Sequence, residues 1–227
     1  MSRIDWRGPL TLLLCGAIAE LVLGRVQPQD RTGSWFRYSP SGLVVNKSAG
    51  QSGHQPGPRV VRYRFGAPAL RDPPAGEAAR NTILVLGDSF TFGWLLAAED
   101  TYVAQLQRLS DAEFGPRTFG YLNAASGGWG AASYVAFVEE YGDAIDPDIV
   151  LVFLNTDDVG RALKSDLYSF DESTGASLER RSRPVSRVKQ LLNVLPGYEW
   201  ALENLHFAQL VRRAPRDRPP IRRRPWR

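Results

Sequence analysis

Residues 83–93 read ILVLGDSFTFG, and this stretch decides the fold. Thr82 to Leu86 is a nearly continuous apolar run that stops at Gly87-Asp88. A strand buried on both faces reads this way. Ser89 follows at once, with glycines at 87 and 93 around it. Helix capping alone explains Asp88 or Ser89, since either side chain can accept a bond from a free backbone N–H. Capping does not require two glycines. Gly87 and Gly93 let the chain turn sharply and let a ligand come close. A serine at such a turn sits near the positive end of a helix dipole, where developing negative charge is stabilised. The glycines match neither G-x-G-x-x-G nor a P-loop with its lysine, so a phosphate cradle is discounted.

Two further stretches share this texture. TFGYLNA (118–124) is a second strand, and PDIVLVFLN (147–155) is a third buried strand launched by Pro147. Between them lie helical patterns at 98–110 and 132–145, the latter with Tyr134, Phe137, Val138, Tyr141 and Ile145 on one face. Strand, helix, strand, helix, strand predicts a three-layer α/β/α fold on a parallel sheet. Ligands bind such sheets at the carboxyl ends of the strands. Three polar clusters therefore fall on one edge: Gly87-Asp88-Ser89, Asn123 to Gly128, and Asn155 to Asp158. The Gly127-Gly128 pair offers unobstructed backbone N–H groups, as an oxyanion site needs, although taken alone it is an ordinary turn. Asn155-Thr-Asp-Asp158, taken alone, is equally a cap for the next segment.

Composition sets the outer bounds. The 227 residues are 43% apolar and 23% charged, which suits one full-sized domain with tails. Net charge is +4, yet the last sixteen residues hold eight Arg and one Asp. The body therefore carries 20 basic and 23 acidic residues, and no basic face with interleaved aromatics. A nucleic-acid partner for the folded domain is excluded on that pattern. The tail, residues 212–227, reads first as a solvated Arg/Pro-rich segment, with contact to anionic lipid or nucleic acid as the alternative. Cys15 is the only cysteine, so no intrachain disulfide forms. One Cys and two His leave no basis for a structural zinc site, and no cofactor or metal is expected.

Residues 1–26 hold Arg3 and Arg7 before an apolar run from Pro9 to Gly24, interrupted by Glu20. The run suits a signal-peptide core or a short membrane anchor. No good cleavage site follows, so an uncleaved anchor is the preferred reading, with Glu20 near an interface. A helix of a soluble protein is the alternative, and the flanking arginines do not fix an orientation. Residues 27–80, rich in Gly and Pro, read as an approach segment with one short edge strand at 60–65. Asn46-Lys-Ser is a glycosylation sequon of little weight. The domain runs over 81–211, ending in two helices at 185–195 and 198–214, with Pro196-Gly197 between them.

These residues resemble the SGNH (GDSL-like) hydrolase family over roughly 82–160. GDSFTFG resembles its first block, which makes Ser89 the nucleophile. NAASGG resembles the second, in which Gly128 would donate a backbone N–H to the oxyanion. NTDD lies where the third block, Gly-x-Asn-Asp, belongs. The resemblance implies a flavodoxin-like fold and acyl-ester hydrolysis on a small-molecule or glycan ester. With its N-terminal segment, the chain also resembles membrane-anchored bacterial members. That implies a membrane-held protein on the outer side of the cytoplasmic membrane, or a secreted one if the segment is removed.

Two departures stand out. Asp157 occupies the place of the oxyanion asparagine, and a carboxylate donates no hydrogen bond unless protonated. Asn155 is the nearest substitute. The family's last block, Asp-x-x-His, supplies the base, and this chain has only His54 and His206. Glu203-x-x-His206 imitates the spacing within an apparent helix. The expectation is a fold incomplete at its C-terminus, as in a truncated or frame-shifted copy, with Ser89, Gly128 and Asp157 as the site and Asp88, Asn155 and His206 as secondary candidates. Three readings stay open: an esterase impaired by a missing histidine, an O-acyltransferase or deacetylase acting on an extracytoplasmic glycan, and an inactive binding module of the same fold.

Overall fold

The chain, a computed structural model describing residues 7–73, 78–170, 178–181, 185 and 187–213, begins with helix α1 (Arg7–Val26). Six short strands follow: β1 (Arg31–Thr32), β2 (Phe36–Tyr38), β3 (Val44–Asn46), β4 (Gly50–Gln55), β5 (Val61–Gly66) and β6 (Leu70–Arg71). The alternating region then runs β7 (Asn81–Leu86), α2 (Ser89–Phe92), α3 (Tyr102–Phe114), β8 (Phe119–Asn123), α4 (Ala131–Ile145) and β9 (Ile149–Val152). Beyond it lie α5 (Asp157–Ser165), the strands β10 (Tyr168–Phe170) and β11 (Leu178–Arg180), and helices α6 (Arg187–Val194), α7 (Tyr198–Asn204) and α8 (His206–Arg213). Residues 214–227 of the basic tail lie outside the described residues.

The predicted strand at Ile83 is the centre of the parallel region. β7 pairs in parallel with β8 on one side and β9 on the other. Its residues alternate between two faces, as a pleated strand requires. Ile83 and Val85 pack with Val103 of α3, whereas Leu84 and Leu86 join Tyr134 and Phe137 of α4. The fold is therefore α/β with helices on both faces of the sheet, as the sequence predicts. The sheet is mixed rather than parallel throughout: its order is β1-β4-β5-β6-β8-β7-β9, and every pair from β1 to β8 through β6 is antiparallel.

Those antiparallel strands come from the region read as an approach segment. β5 lies between β4 and β6, so 60–65 is not an edge strand. Sequence periodicity is blind here for a physical reason. Strands of two or three residues are too short to show a period, and GQSGHQ of β4 is polar yet buries Ser52, Gly53 and His54. Long-range partners supply the order. Trp35, Tyr63, Phe65 and Phe92 form an aromatic cluster, with Trp35 and Tyr63 meeting edge to face at 5.2 Å. Asn46 of the sequon is 1% exposed and its side-chain amide donates to the carbonyls of Ala69 and Ala125, so it is a structural residue.

The C-terminal helices also differ from the sequence reading. One helix over 198–214 was expected; the chain breaks at Leu205, which is extended (φ −112°, ψ 126°). The cause is tertiary. Glu20 of α1 reaches across and accepts from the backbone N–H groups of His206 (2.5 Å) and Phe207 (3.0 Å). A carboxylate at a helix start satisfies free amides and complements the dipole, so α8 begins there.

Arg71 joins the two halves of the sheet. It is the single register partner between β6 and β8, opposite Asn123. Its guanidinium is 1% exposed, donates to Gly93 O (2.8 Å) and Leu96 O (2.7 Å), pairs with Asp72 (2.9 Å) and lies over the rings of Tyr63 and Phe92. Replacing Arg71 with Met leaves the Gly93 and Leu96 carbonyls without their donors and leaves Asp72 only Arg64, whose backbone N–H it accepts at 3.1 Å. We expect a loss of about 3 kcal/mol, which for a domain of this size is a fall of roughly 6–12 °C in Tm, read by circular dichroism on melting. A fall of a degree or less would show that the extension does not depend on this residue.

Candidate active site

Ser89 is the first residue of α2, directly after β7 and Gly87-Asp88. Gly87 is buried, and a Cβ there would land on Thr91 Oγ1, so the chain turns too tightly for any other residue. Asp88 is the helix N-cap: its carboxylate accepts from Phe90 N at 2.9 Å. Capping and the serine's placement are thus both realised, by neighbouring residues.

The second strand end comes to the same place. Asn123 is buried, its amide donating to Thr91 O (3.0 Å) and its Oδ1 accepting from Ala125 N (3.1 Å). It ties the loop after β8 to the Ser89 turn. Ser126 N donates to Gly87 O (3.3 Å), which tightens that link. Gly128 has φ +79° and no heavy atom within 4 Å of where a Cβ would be. Ser89, Gly127 and Gly128 line one cavity of about 630 Å³, whose other walls are Phe36, Phe90, Gly93, Trp94 and Leu96. The serine and the predicted oxyanion glycine therefore face a shared, mainly apolar space.

The third strand end is arranged differently from the sequence expectation. Asp157 is at the surface, its side chain 75% exposed, 3.6 Å from Arg161. It does not line the Ser89 cavity. Asn155 lines a second cavity of about 690 Å³, together with Asp88, Thr156 and Leu154. Phe90 is a wall common to both. The Asn155 Oδ1 is held by Asp157 N (3.3 Å) and Thr156 Oγ1 (3.2 Å). The buried acid of this block is Asp158, 1% exposed, which accepts from Asn155 N (2.7 Å) and from the Tyr134 hydroxyl (2.8 Å).

Arg161, which the sequence reading did not single out, ties these acids to the elbow. Its Nη1 lies 2.7 Å from the buried Asp88 carboxylate and 3.2 Å from that of Asp158, and donates to Trp129 O (3.3 Å). The bond to Asp88 is the main reason its pKa is raised above the ordinary value. The signal was present in sequence: Arg161 follows Asp157 and Asp158 at the i,i+4 and i,i+3 spacings that pair on a helix. What could not be read was the long-range partner, Asp88.

Neither histidine is among the described residues lining the Ser89 cavity. His206 Nδ1 accepts from Gln29 N (2.9 Å) and its ring faces Gly24 of α1. Glu203, its supposed partner, instead accepts from Ser52 Oγ (2.9 Å) and Gly53 N (2.8 Å). The Glu-x-x-His spacing spans the break at Leu205, and the two side chains serve different contacts. His54, within the 27–80 stretch read as an approach segment, is buried in β4 against Trp94, with ring centroids 4.8 Å apart.

No protein-family model matches the chain, and no curated protein matches it. Two solved structures align with it. A single-substitution mutant of the esterase AlinE4 does so at 24% identity over 39% of this chain and 46% of that one, with a TM-score of 0.32. This chain thus spans less than half the length of that relative. AlinE4 itself, described as an SGNH-hydrolase family esterase, aligns at 17% identity over 64% of this chain and 83% of that one, also with a TM-score of 0.32. At such similarity neither alignment decides anything about the site, which rests on the geometry above.

Two outcomes follow. Arg161→Gln strands the Asp88 carboxylate, and because the arginine is 30% exposed at its side chain the cost is that of one poorly satisfied buried group, about 2 kcal/mol. Urea unfolding measures it; an unchanged midpoint would remove Arg161 from the network. Tyr134 has its pKa raised above the ordinary 10.0, first by burial and then by its bond to Asp158. The folded state thus keeps a proton that the unfolded state sheds above pH 10. Its stabilisation is whole below that pH and falls as pH rises further, at up to about 1.4 kcal/mol per pH unit. Tyr134→Phe should flatten the alkaline decline in stability relative to the parent chain.

Proposed function

We propose that the chain carries a serine-based acyl-ester centre of the SGNH type, with Ser89 as nucleophile, held at a membrane by α1. The observation that carries this reading is the cavity shared by Ser89 and Gly128 at the carboxyl edge of the parallel strands. Ser89 Oγ would attack the ester carbonyl, forming the acyl–oxygen bond as the hydroxyl proton departs. The oxyanion would be held by the backbone N–H groups of Ser89 and Gly128, and the alcohol would leave with a proton. The apolar walls suit an ester with a hydrophobic acyl portion.

The proton acceptor is the weak point of this centre. With no imidazole among the described lining residues, the serine proton passes to water, and general-base assistance worth about 10²–10⁴-fold is forgone. Slow acyl transfer is the expectation. Transfer to a sugar hydroxyl of an extracytoplasmic glycan differs from hydrolysis only in the acceptor. A binding module is the second reading, favoured by the placement of His206 against Gln29 and of His54 against Trp94.

Membrane attachment rests on α1. Among the described residues it is the one helix long and apolar enough to cross a bilayer, and the 18-residue window that qualifies it is unburied. Its last turns nevertheless dock on α8 through Glu20 and Gly24. A segment with partners in the folded body favours a retained anchor over a removed signal. The anchor itself sets no side; the resemblance to membrane-anchored bacterial members is what supports a body outside the cytoplasm.

A fluorophosphonate should label the parent chain slowly and leave Ser89→Ala unlabelled, as read by intact mass. No labelling of the parent, or equal labelling of both, would sink the ester-chemistry reading and leave the binding module. With labelling in hand, following acetyl loss to water against acetyl gain on a glycan acceptor separates hydrolysis from transfer.

A further inference from the structure

At the β1 edge of the sheet the chain presents apolar side chains outward. α7 packs on β1 and β4, and α8 packs on β1 and on α1. In α7 the inward positions are taken by Leu202 and by Glu203, which bonds to β4. Trp200 points away and is 62% exposed. In α8 the buried residue is Gln209, whose amide donates to Thr32 O and Leu202 O. One turn apart on its open side lie Phe207 and Val211, 55% and 59% exposed. In α6, Val188, Leu191 and Val194 recur at three-residue steps, each more than 60% exposed. Two of these helices, α6 and α8, thus carry apolar stripes, and α7 between them an exposed tryptophan, that no described residue covers.

Their position says what covers them. Glu20 fixes the first turn of α8, at Phe207, beside α1. Glu20 is six residues from the end of α1, about 9 Å along the helix. A 20-residue helix is about 30 Å long, close to the thickness of a bilayer's hydrocarbon core. If α1 spans the bilayer, Glu20 and the start of α8 that it caps lie at or just inside the hydrocarbon boundary. The first turn of α8, with Phe207 on its open side, therefore adjoins α1. Charge agrees: Arg25 lies in the last turn of α1, and Arg212, which also donates to Thr32 O (3.0 Å), is exposed in α8. Basic residues beside an anionic leaflet each contribute on the order of 1 kcal/mol.

We propose that the outward face of α6, α7 and α8 is an interfacial docking surface for an anionic lipid bilayer, laid against the membrane beside the root of α1. The proposal rests on α1 being a membrane anchor. Helices with an apolar face and basic flanks lie in the interface plane with that face in the headgroup–acyl boundary. The body is thereby held at two places and cannot swing freely about its anchor.

Site-directed spin labelling of the full chain in phosphatidylcholine–phosphatidylglycerol vesicles tests this. Cys15, the native thiol midway along α1, reports the anchor. On a Cys15→Ser background, Phe207→Cys and Val211→Cys report the surface. Ile149→Cys, on β9 at the far edge of the sheet, is the aqueous control. Relaxation by oxygen relative to a water-soluble nickel chelate should rise several-fold at 15, 207 and 211 over 149. A lipid-facing label at 15 with 207 and 211 matching 149 overturns the docking surface and leaves the anchor standing. Aqueous labels at all four positions overturn both. Strong spin–spin broadening at 211 means that a second copy covers the face, which also overturns the proposal.

Discussion

A single buried cation holds the two parts of the sheet in register. Arg71 supplies the backbone step from antiparallel to parallel pairing, and its guanidinium reaches past that step to the carbonyls of Gly93 and Leu96, just beyond the helix that carries Ser89. Burial lowers its pKa, and the pairing with Asp72 opposes that shift. Burying an arginine costs several kcal/mol unless its donors are met. Here two carbonyls, one carboxylate and two aromatic faces meet them. The elbow is consequently braced from behind by the N-terminal strands, and the position of the serine depends on residues that lie before the alternating α/β region.

The other brace comes from the opposite side. Asp88 caps α2 and is itself held by Arg161, which also holds Asp158; Asp158 in turn holds Asn155 and Tyr134. The acids of the third strand end are thus spent on structure. An SGNH-type centre needs a donor for the oxyanion and an acceptor for the serine proton. On the donor side, Gly128 lines the cavity that Ser89 also lines. On the acceptor side, Asp88 is committed to Arg161 and to Phe90 N, and the two imidazoles are occupied elsewhere.

What the sequence revealed, and what it hid, follows from range. The elbow was legible because everything that defines it lies within eleven residues: an apolar run, a turn and a flanked serine. The α/β alternation was legible because α4 shows a full helical period and β7 and β9 are continuous apolar runs. β4 was hidden, since GQSGHQ is a strand only by virtue of β1 and β5 beside it. Asp157 was singled out by its place in a motif, whereas burial selects its neighbour Asp158, and one residue of helical phase is invisible in a four-residue match. Arg161 is half legible: its local partners are at helical spacing, but Asp88 lies 73 residues away. The break at Leu205 was illegible for the same reason, because its cause is a carboxylate near the other end of the chain.

That carboxylate also sets an order of assembly. Glu20 and His206 are 186 residues apart in sequence. Closing so long a loop is among the last contacts a chain can make, since the entropy cost must be met before the contact repays it. During synthesis α1 emerges 186 residues ahead of His206, so the amides that Glu20 satisfies do not exist until long after α1 has been made. Until then Glu20 is an exposed charge on an otherwise apolar helix, and α8 has no start. The contact therefore reports on α8: a chain arrested or clipped before residue 206 would keep its sheet and its serine yet leave Glu20 without the amides it caps.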